Sequence, residues 1–92
     1  MKDDDGRVVR PVIRVGVVTP WSVDIEWNED PAATGWLVRR MPGHGRYEPT
    51  GQPQWQATGL EPDTMYEFRV LAVDEDHHEA SPKAVVRVWT LA

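Results

Sequence analysis

The six residues Ser22-Val23-Asp24-Ile25-Glu26-Trp27 leave little choice of backbone. Apolar and polar side chains alternate without interruption, which is the period of an extended strand with one buried face. A one-residue slip would bury two carboxylates, so this pattern fixes register as well as conformation. Short β-rich segments recur along the chain, separated by clusters of glycine, proline and aspartate, and no window sustains a helical apolar period. The sequence is all-β.

The segments can be taken in order. Pro11 to Val18 alternates, with Ile13, Val15 and Val17 on the expected inner face. Trp36 to Met41 gives a third strand whose phase is ambiguous, because Arg40 stands on one face and Arg39 on the other. Residues 42 to 53 hold three prolines and three glycines and read as turns or a short irregular edge. Trp55 to Leu60 resumes the alternation, and Glu61-Pro62-Asp63-Thr64 turns the chain. Met65 to Val73 is the longest strand, with Tyr66, Phe68, Val70 and Ala72 on one face and Glu67, Arg69, Leu71 and Val73 on the other. After the polar loop from Asp74 to Pro82, Lys83 to Thr90 closes the pattern with Ala84, Val86 and Val88 facing inward.

About seven strands in 92 residues predict an antiparallel sandwich of two sheets. That length suits one domain. Residues 1–7, with three consecutive aspartates, read as a loose acidic tail, and 8–92 as the domain. A formal charge of −5 argues against a phosphate-backbone binder, so nucleic acid is not expected as a partner. No apolar run approaches the roughly 20 residues needed to span a bilayer, and the amino end has no signal-like apolar stretch. With no cysteine there is no disulfide and no thiolate chemistry.

Two blocks carry a resemblance that covers residues 8 to 91. The first is SVDIEW, with its closing tryptophan. The second is TGLEPDTMYEFRVLAVD, in which Leu60, Pro62, Thr64 and Tyr66 lead into the longest strand. Together they resemble the fibronectin type III family. The resemblance implies a seven-stranded, immunoglobulin-like sandwich with strands A-B-E in one sheet and C-C′-F-G in the other. Trp27 would stand at the centre of the core, among Val23, Ile25, Trp36, Val38, Leu60, Tyr66, Phe68, Val70, Ala72, Val86 and Val88. Tyr66 would form a tyrosine corner, its ring in the core and its hydroxyl on backbone near the preceding turn. Phe68 stands where an antibody-type domain would place a disulfide cysteine. Arg40 departs from the family pattern, which calls for an apolar or aromatic side chain there. Either its guanidinium lies in water beyond the sandwich edge, or the strand bulges before it.

Several groups compete as a functional site. In the loop after the longest strand, Asp74, Asp76, His77, His78 and Glu79 are metal-ligand types. Adjacent histidines in a short loop tend to point apart, however, and no other segment completes a shell. A solvated acidic turn is the better reading, with Asp74, Glu75, Asp76, His77 and His78 retained as a candidate loop contact and no metal expected. His44, between two glycines, reads as a turn residue. No Arg-Gly-Asp tripeptide occurs, so the integrin binding of some family members does not transfer. Ser22 and Ser81 lack a nucleophile elbow or a neighbouring histidine, and Asp24 with Glu26 is an ordinary solvated strand face; no enzyme and no cofactor are expected.

The stronger candidate is the outer face of the second sheet. There Leu37, Arg39 and Met41, then Arg69, Leu71 and Val73, then Val85, Arg87 and Trp89 would form an exposed apolar strip threaded by arginines. That is the composition of a protein interface. Strand propensity alone also favours such residues on either face. Trp21 is a second outward aromatic that could cap the end of the sandwich. It keeps a weak glycan role open, although Trp21 and Trp89 fall on different sheets.

The expected function is thus a non-catalytic protein-interaction or structural module. An initiating methionine and a one-domain length suit a small standalone protein docking on a larger assembly, such as a bacteriophage virion or cell-surface structure. The alternatives are a spacer or adhesion module of a multidomain extracellular protein or secreted carbohydrate-active enzyme, and a weak glycan binder. All of these place the chain outside the cell, on a cell surface or on a virion. Replacing the central indole tests the fold directly: Trp27→Ala should lower stability by about 3–5 kcal/mol, measured by urea denaturation followed by circular dichroism.

Overall fold

The alternation is realised as seven strands in two antiparallel sheets. The structure, a computed structural model, describes residues 9–42, 46–76 and 78–92. The expected acidic tail over 1–7 lies outside the described residues. Strands β1 (Ile13–Val18), β2 (Val23–Trp27) and β5 (Gln54–Ala57) form one sheet in the order β1-β2-β5. Strands β3 (Gly35–Met41), β4 (Glu48–Thr50), β6 (Met65–Val73) and β7 (Ala84–Trp89) form the other, in the order β4-β3-β6-β7. Among the described residues there is no helix. The irregular edge expected between 42 and 53 contains a real but minimal strand, β4, limited to three residues with Pro49 at its middle.

The inner faces meet as the parity requires. Val23, Ile25 and Trp27 of β2 pack with Trp36 and Val38 of β3 and with Tyr66, Phe68, Val70 and Ala72 of β6. Trp27 and Trp36 meet edge to face, their ring centroids 6.0 Å apart at 68°, a geometry that sets the positive edge of one indole against the negative face of the other. Burying each of the fully enclosed side chains Ile25 and Phe68 contributes about 1.5–3 kcal/mol. Ala57 and Leu60 close the core beside β5, whereas Val86 is only half-buried.

One strand departs from its simple alternation. Val15 and Val17, expected inside, are exposed. The pairing of β1 with β2 runs Ile13↔Trp27 and Val15↔Ile25, then shifts so that Val18 stands opposite Val23. The irregularity inserts one extra residue and reverses the parity, turning Val17 outward and Val18 inward. Val15 keeps the inward phase, but it lies on an edge strand and stays open to solvent.

Arg40 takes neither of its two expected positions. It pairs in unbroken register with Phe68, so the strand does not bulge there. Its guanidinium lies 5.6 Å from the centroid of the Tyr66 ring, and Nη1 donates to the Thr58 carbonyl at 3.5 Å. The long side chain covers the phenol with its charged head near the rim, combining apolar cover with a cation–π contact.

The far side of the same tyrosine organises the turn into β6. The Glu61 N–H donates to the Tyr66 hydroxyl oxygen at 2.9 Å, which is the tyrosine corner. Thr90, buried just past β7, continues the inward parity of Ala84, Val86 and Val88. Its hydroxyl donates to the Glu61 carbonyl at 2.6 Å and accepts from the Thr64 N–H at 2.9 Å. The Thr90 N–H donates to the Thr64 carbonyl, and the Asp63 N–H to the Leu91 carbonyl. Asp63 meets this geometry at a φ of +52°, a left-handed conformation that aspartate tolerates better than most residues.

Tyr66→Phe keeps the ring and leaves the Glu61 N–H without its acceptor, at an expected cost of about 1–3 kcal/mol. Thr90→Val should cost a similar amount. Both side chains hold the backbone of Glu61, Tyr66 at its N–H and Thr90 at its carbonyl, so the double variant should lose less than the sum of the single losses. Urea midpoints at unchanged m-value measure all three.

Candidate functional site

The outward residues of the four-stranded sheet fall into rows set by the ladder. Leu37 stands opposite Leu71, Arg39 opposite Arg69, and Met41 opposite Glu67. Arg69 is in turn opposite Val85, Glu67 opposite Arg87, and Met65 opposite Trp89. The nine residues expected on this face are therefore brought together on one surface. They do not form one exposed strip, and the face divides into three zones.

In the first zone Leu71 and Val73 are buried, at 0% and 3% exposure, and cannot offer contact area. Gly35 faces Val73 across the ladder; a Cβ there would lie 3.2 Å from the Thr50 carbonyl oxygen and 3.8 Å from Val73 Cγ2. The absent side chain lets β4 and Val73 close over this end. The chain beyond β6 also returns alongside it, through the Val73↔Glu79 bridge and an Ala80 N–H bond to the Ala72 carbonyl. Alternation along β6 assigns the side of the sheet correctly, but exposure depends on this returning segment.

The second zone is ionic. Glu67, with its side chain 14% exposed, accepts from Arg69 Nε at 2.6 Å and from Arg87 Nε at 3.1 Å. Arg39 and Arg69 are direct cross-strand neighbours, a like-charge pairing that needs compensation. Glu67 supplies it for Arg69, and the Tyr47 ring, 5.9 Å from Arg39 Cζ, supplies a π face for Arg39. The hydrogen bond from Arg69 is the largest influence holding the Glu67 carboxyl below its ordinary value of 4.5, and the same bond raises Arg69. The sequence reading did not single out Glu67 or Tyr47. For Glu67 the signal was present, since it shares a face with Arg69 two residues on; Tyr47 lies in a segment with no usable periodicity.

The third zone is apolar and open. Val85 is 48% exposed, Trp89 64% and Met65 38%, with the exposed Arg87 between Val85 and Trp89 on β7. Met65 was missed because its parity was not carried back to the start of β6. Trp21 is also exposed, so its indole does not cap the sandwich; its carbonyl accepts from the Leu60 N–H instead.

The polar loop is an aspartate-organised turn. Asp74 Oδ1 accepts from the Asp76 and His78 N–H groups at 2.9 and 3.0 Å. Asp74, Asp76 and His78 offer ligand atoms within 4.8 Å of one another, while Glu75 is exposed. His77, like His44, lies outside the described residues. The hydroxyls weighed as nucleophiles serve the backbone and the turns. Ser81 Oγ accepts from the Ala72 N–H and donates to the Pro82 carbonyl, and Ser22 Oγ bonds Thr19 Oγ1.

Comparison with solved structures places this architecture. The chain superposes on the fn3 domain of the human collagen alpha-1(XX) chain with a TM-score of 0.78 and 29% identity, over 89% of this chain and 84% of that one. The chain is a fibronectin type III domain. It also matches the fold of a segment in a chitinase from Bacillus thuringiensis, with a TM-score of 0.75 and 20% identity, over 89% of this chain and 13% of that one. Among curated proteins it is 32% identical over 73 residues to mouse (Mus musculus) usherin, covering 66% of this chain and 1% of usherin. It is 30% identical over 84 residues to rat (Rattus norvegicus) cytokine receptor-like factor 2, covering 77% of this chain and 23% of that protein. The domain thus spans a small part of each curated relative. No family model matches the sequence.

The ionic zone of this fibronectin type III domain has a pH signature. A carboxyl lowered on folding stabilises the fold above its unfolded value, and that contribution is lost as pH falls through the lower folded value. Wild type should therefore lose thermal stability on acidification more steeply than Glu67→Gln below the ordinary value of 4.5. Melting temperatures between pH 7 and pH 3 compare the two, and added salt should narrow the difference.

Proposed function

We propose that this fibronectin type III domain is a non-catalytic module that acts by protein contact through the β7 side of its four-stranded sheet. The observation that carries this reading is the open cluster of Trp89, Met65 and Val85 around Arg87. Tryptophan and arginine are the commonest residues of high contact energy in interfaces, and a large indole left in water on a rigid sheet is costly without a use. The neighbouring Glu67 cluster holds Arg87 in place, so little side-chain freedom is lost on contact. Leu71 and Val73, buried at the other end of the same face, do not touch the partner.

Docking on a larger assembly, of the virion or cell-surface kind, is the setting first expected from the sequence. A second setting has a specific observation in its favour. The matched region is a small fraction of usherin, of cytokine receptor-like factor 2 and of the chitinase. A module that spaces or orients neighbours in a longer extracellular protein is consistent with that pattern. The length of the native open reading frame separates the two settings.

The contact surface is tested with partners recovered from the native source by wild type and by Trp89→Ala, followed by measurement of affinity for each purified partner. A loss of tenfold or more on Trp89→Ala, about 1.4 kcal/mol or greater, with an unchanged melting temperature is the expected result. Equal affinity of the two proteins for every partner would remove this surface from consideration.

A further inference from the structure

The outer face of the three-stranded sheet carries a groove of about 670 Å³ that plays no part in the contact surface above. Its volume falls within the ~300–1,000 Å³ range of small-ligand clefts. We infer that this groove binds a short neutral oligosaccharide through the carboxylates and amides of β2 and β5.

The chemistry of the lining carries the inference. Antiparallel register sets Asp24 beside Gln56 and Glu26 beside Gln54 on the same face. Gly16 of β1 opens the floor next to them; a Cβ there would lie 3.4 Å from the Asp24 Cβ and begin to fill the space. The connection from β4 to β5, with Thr50 and Gln52, forms a wall. The outward side chains that β2 and β5 bring to the groove are carboxylates and amides, with Gly16 and the exposed Val17 of β1 at its edge, where the opposite sheet presents valine, methionine and tryptophan. Such a surface gains little from apolar burial and much from hydrogen bonds.

Amides both donate and accept, and carboxylates accept at two oxygens. A grid of alternating amides and carboxylates, with strands about 4.8 Å apart and same-face residues about 6.8 Å apart along each strand, matches a ligand dense in hydroxyl groups. Asp24 Oδ1 is closed off from solvent and meets no donor among the described residues. The two amides bring donors as well as acceptors, which suits hydroxyl groups better than a metal ion. Glu26 is already answered by Arg14 at 3.3 Å. With a net charge of −5 the chain repels acidic saccharides, which leaves neutral ones.

The test is an NMR titration of the full ¹⁵N-labelled chain with cello-, xylo-, malto- and chito-oligosaccharides, and separately with calcium chloride. One saccharide series should shift the signals of Gly16, Asp24 and the Gln54 and Gln56 side-chain amides saturably, with a Kd of about 0.1–1 mM. Gln54→Ala combined with Gln56→Ala should weaken that binding at least about tenfold at an unchanged melting temperature. Trp89→Ala should leave it unaltered, which separates this site from the protein-contact surface. The inference is overturned if no series moves these signals at about 10 mM, if calcium alone moves them, or if the shifts map to Trp21 and Trp89.

Discussion

The hydroxyl of Tyr66 bonded to the Glu61 N–H is the contact on which the rest of the fold's lower end depends. The ring belongs to the core and the oxygen belongs to the turn, so one side chain ties the packing of β6 to the path of the chain that enters it. Thr90 reaches the carbonyl of the same residue from the other strand end, and Arg40 lies over the ring. Three elements distant in sequence converge on a single phenol. Without a disulfide, a chain of this size must fix its sheets by packing and by such buried polar links, since a core this small leaves little stability in reserve.

The outer faces of the two sheets differ because their strand edges are treated differently. On the four-stranded sheet, β4 and the segment returning after β6 close over one end, the Glu67 cluster occupies the middle, and only the β7 side stays apolar and open. The ion pairs there have a positional role. Partly exposed pairs contribute modestly to stability, but Glu67 neutralises two arginines that would otherwise repel each other across a sheet already carrying Arg39. On the three-stranded sheet Gly16 and the polar register of β2 and β5 leave a hollow lined by hydrogen-bonding groups. A single rigid sandwich thereby offers two chemically distinct surfaces that face away from each other.

The β1 irregularity shows how a small local event redistributes surface. One extra residue between Val15 and Val18 reverses the parity, returns Val18 to the core and sends Val17 to solvent. It also brings Gly16 against Asp24. An edge strand tolerates this because one side of its backbone has no ladder to maintain, and such an irregularity also blunts an edge against unwanted pairing.

Much of this protein was legible in the amino-acid sequence. Alternation in β2 and β6 determined which side chains enter the core, because the strand period is two and a slip would bury charge. The block around Tyr66, with SVDIEW, carried the resemblance to the fibronectin type III family, and that resemblance implied the strand order and the tyrosine corner. Other features were decided by tertiary structure. The burial of Leu71 and Val73, the outward turn of Val17, the seat of Arg40 over Tyr66 and the meeting of Arg69 and Arg87 on Glu67 depend on residues distant along the chain. Alternation says which side of a sheet a residue occupies. Whether that side is then covered, paired or left in water is set by long-range neighbours that a local pattern does not encode.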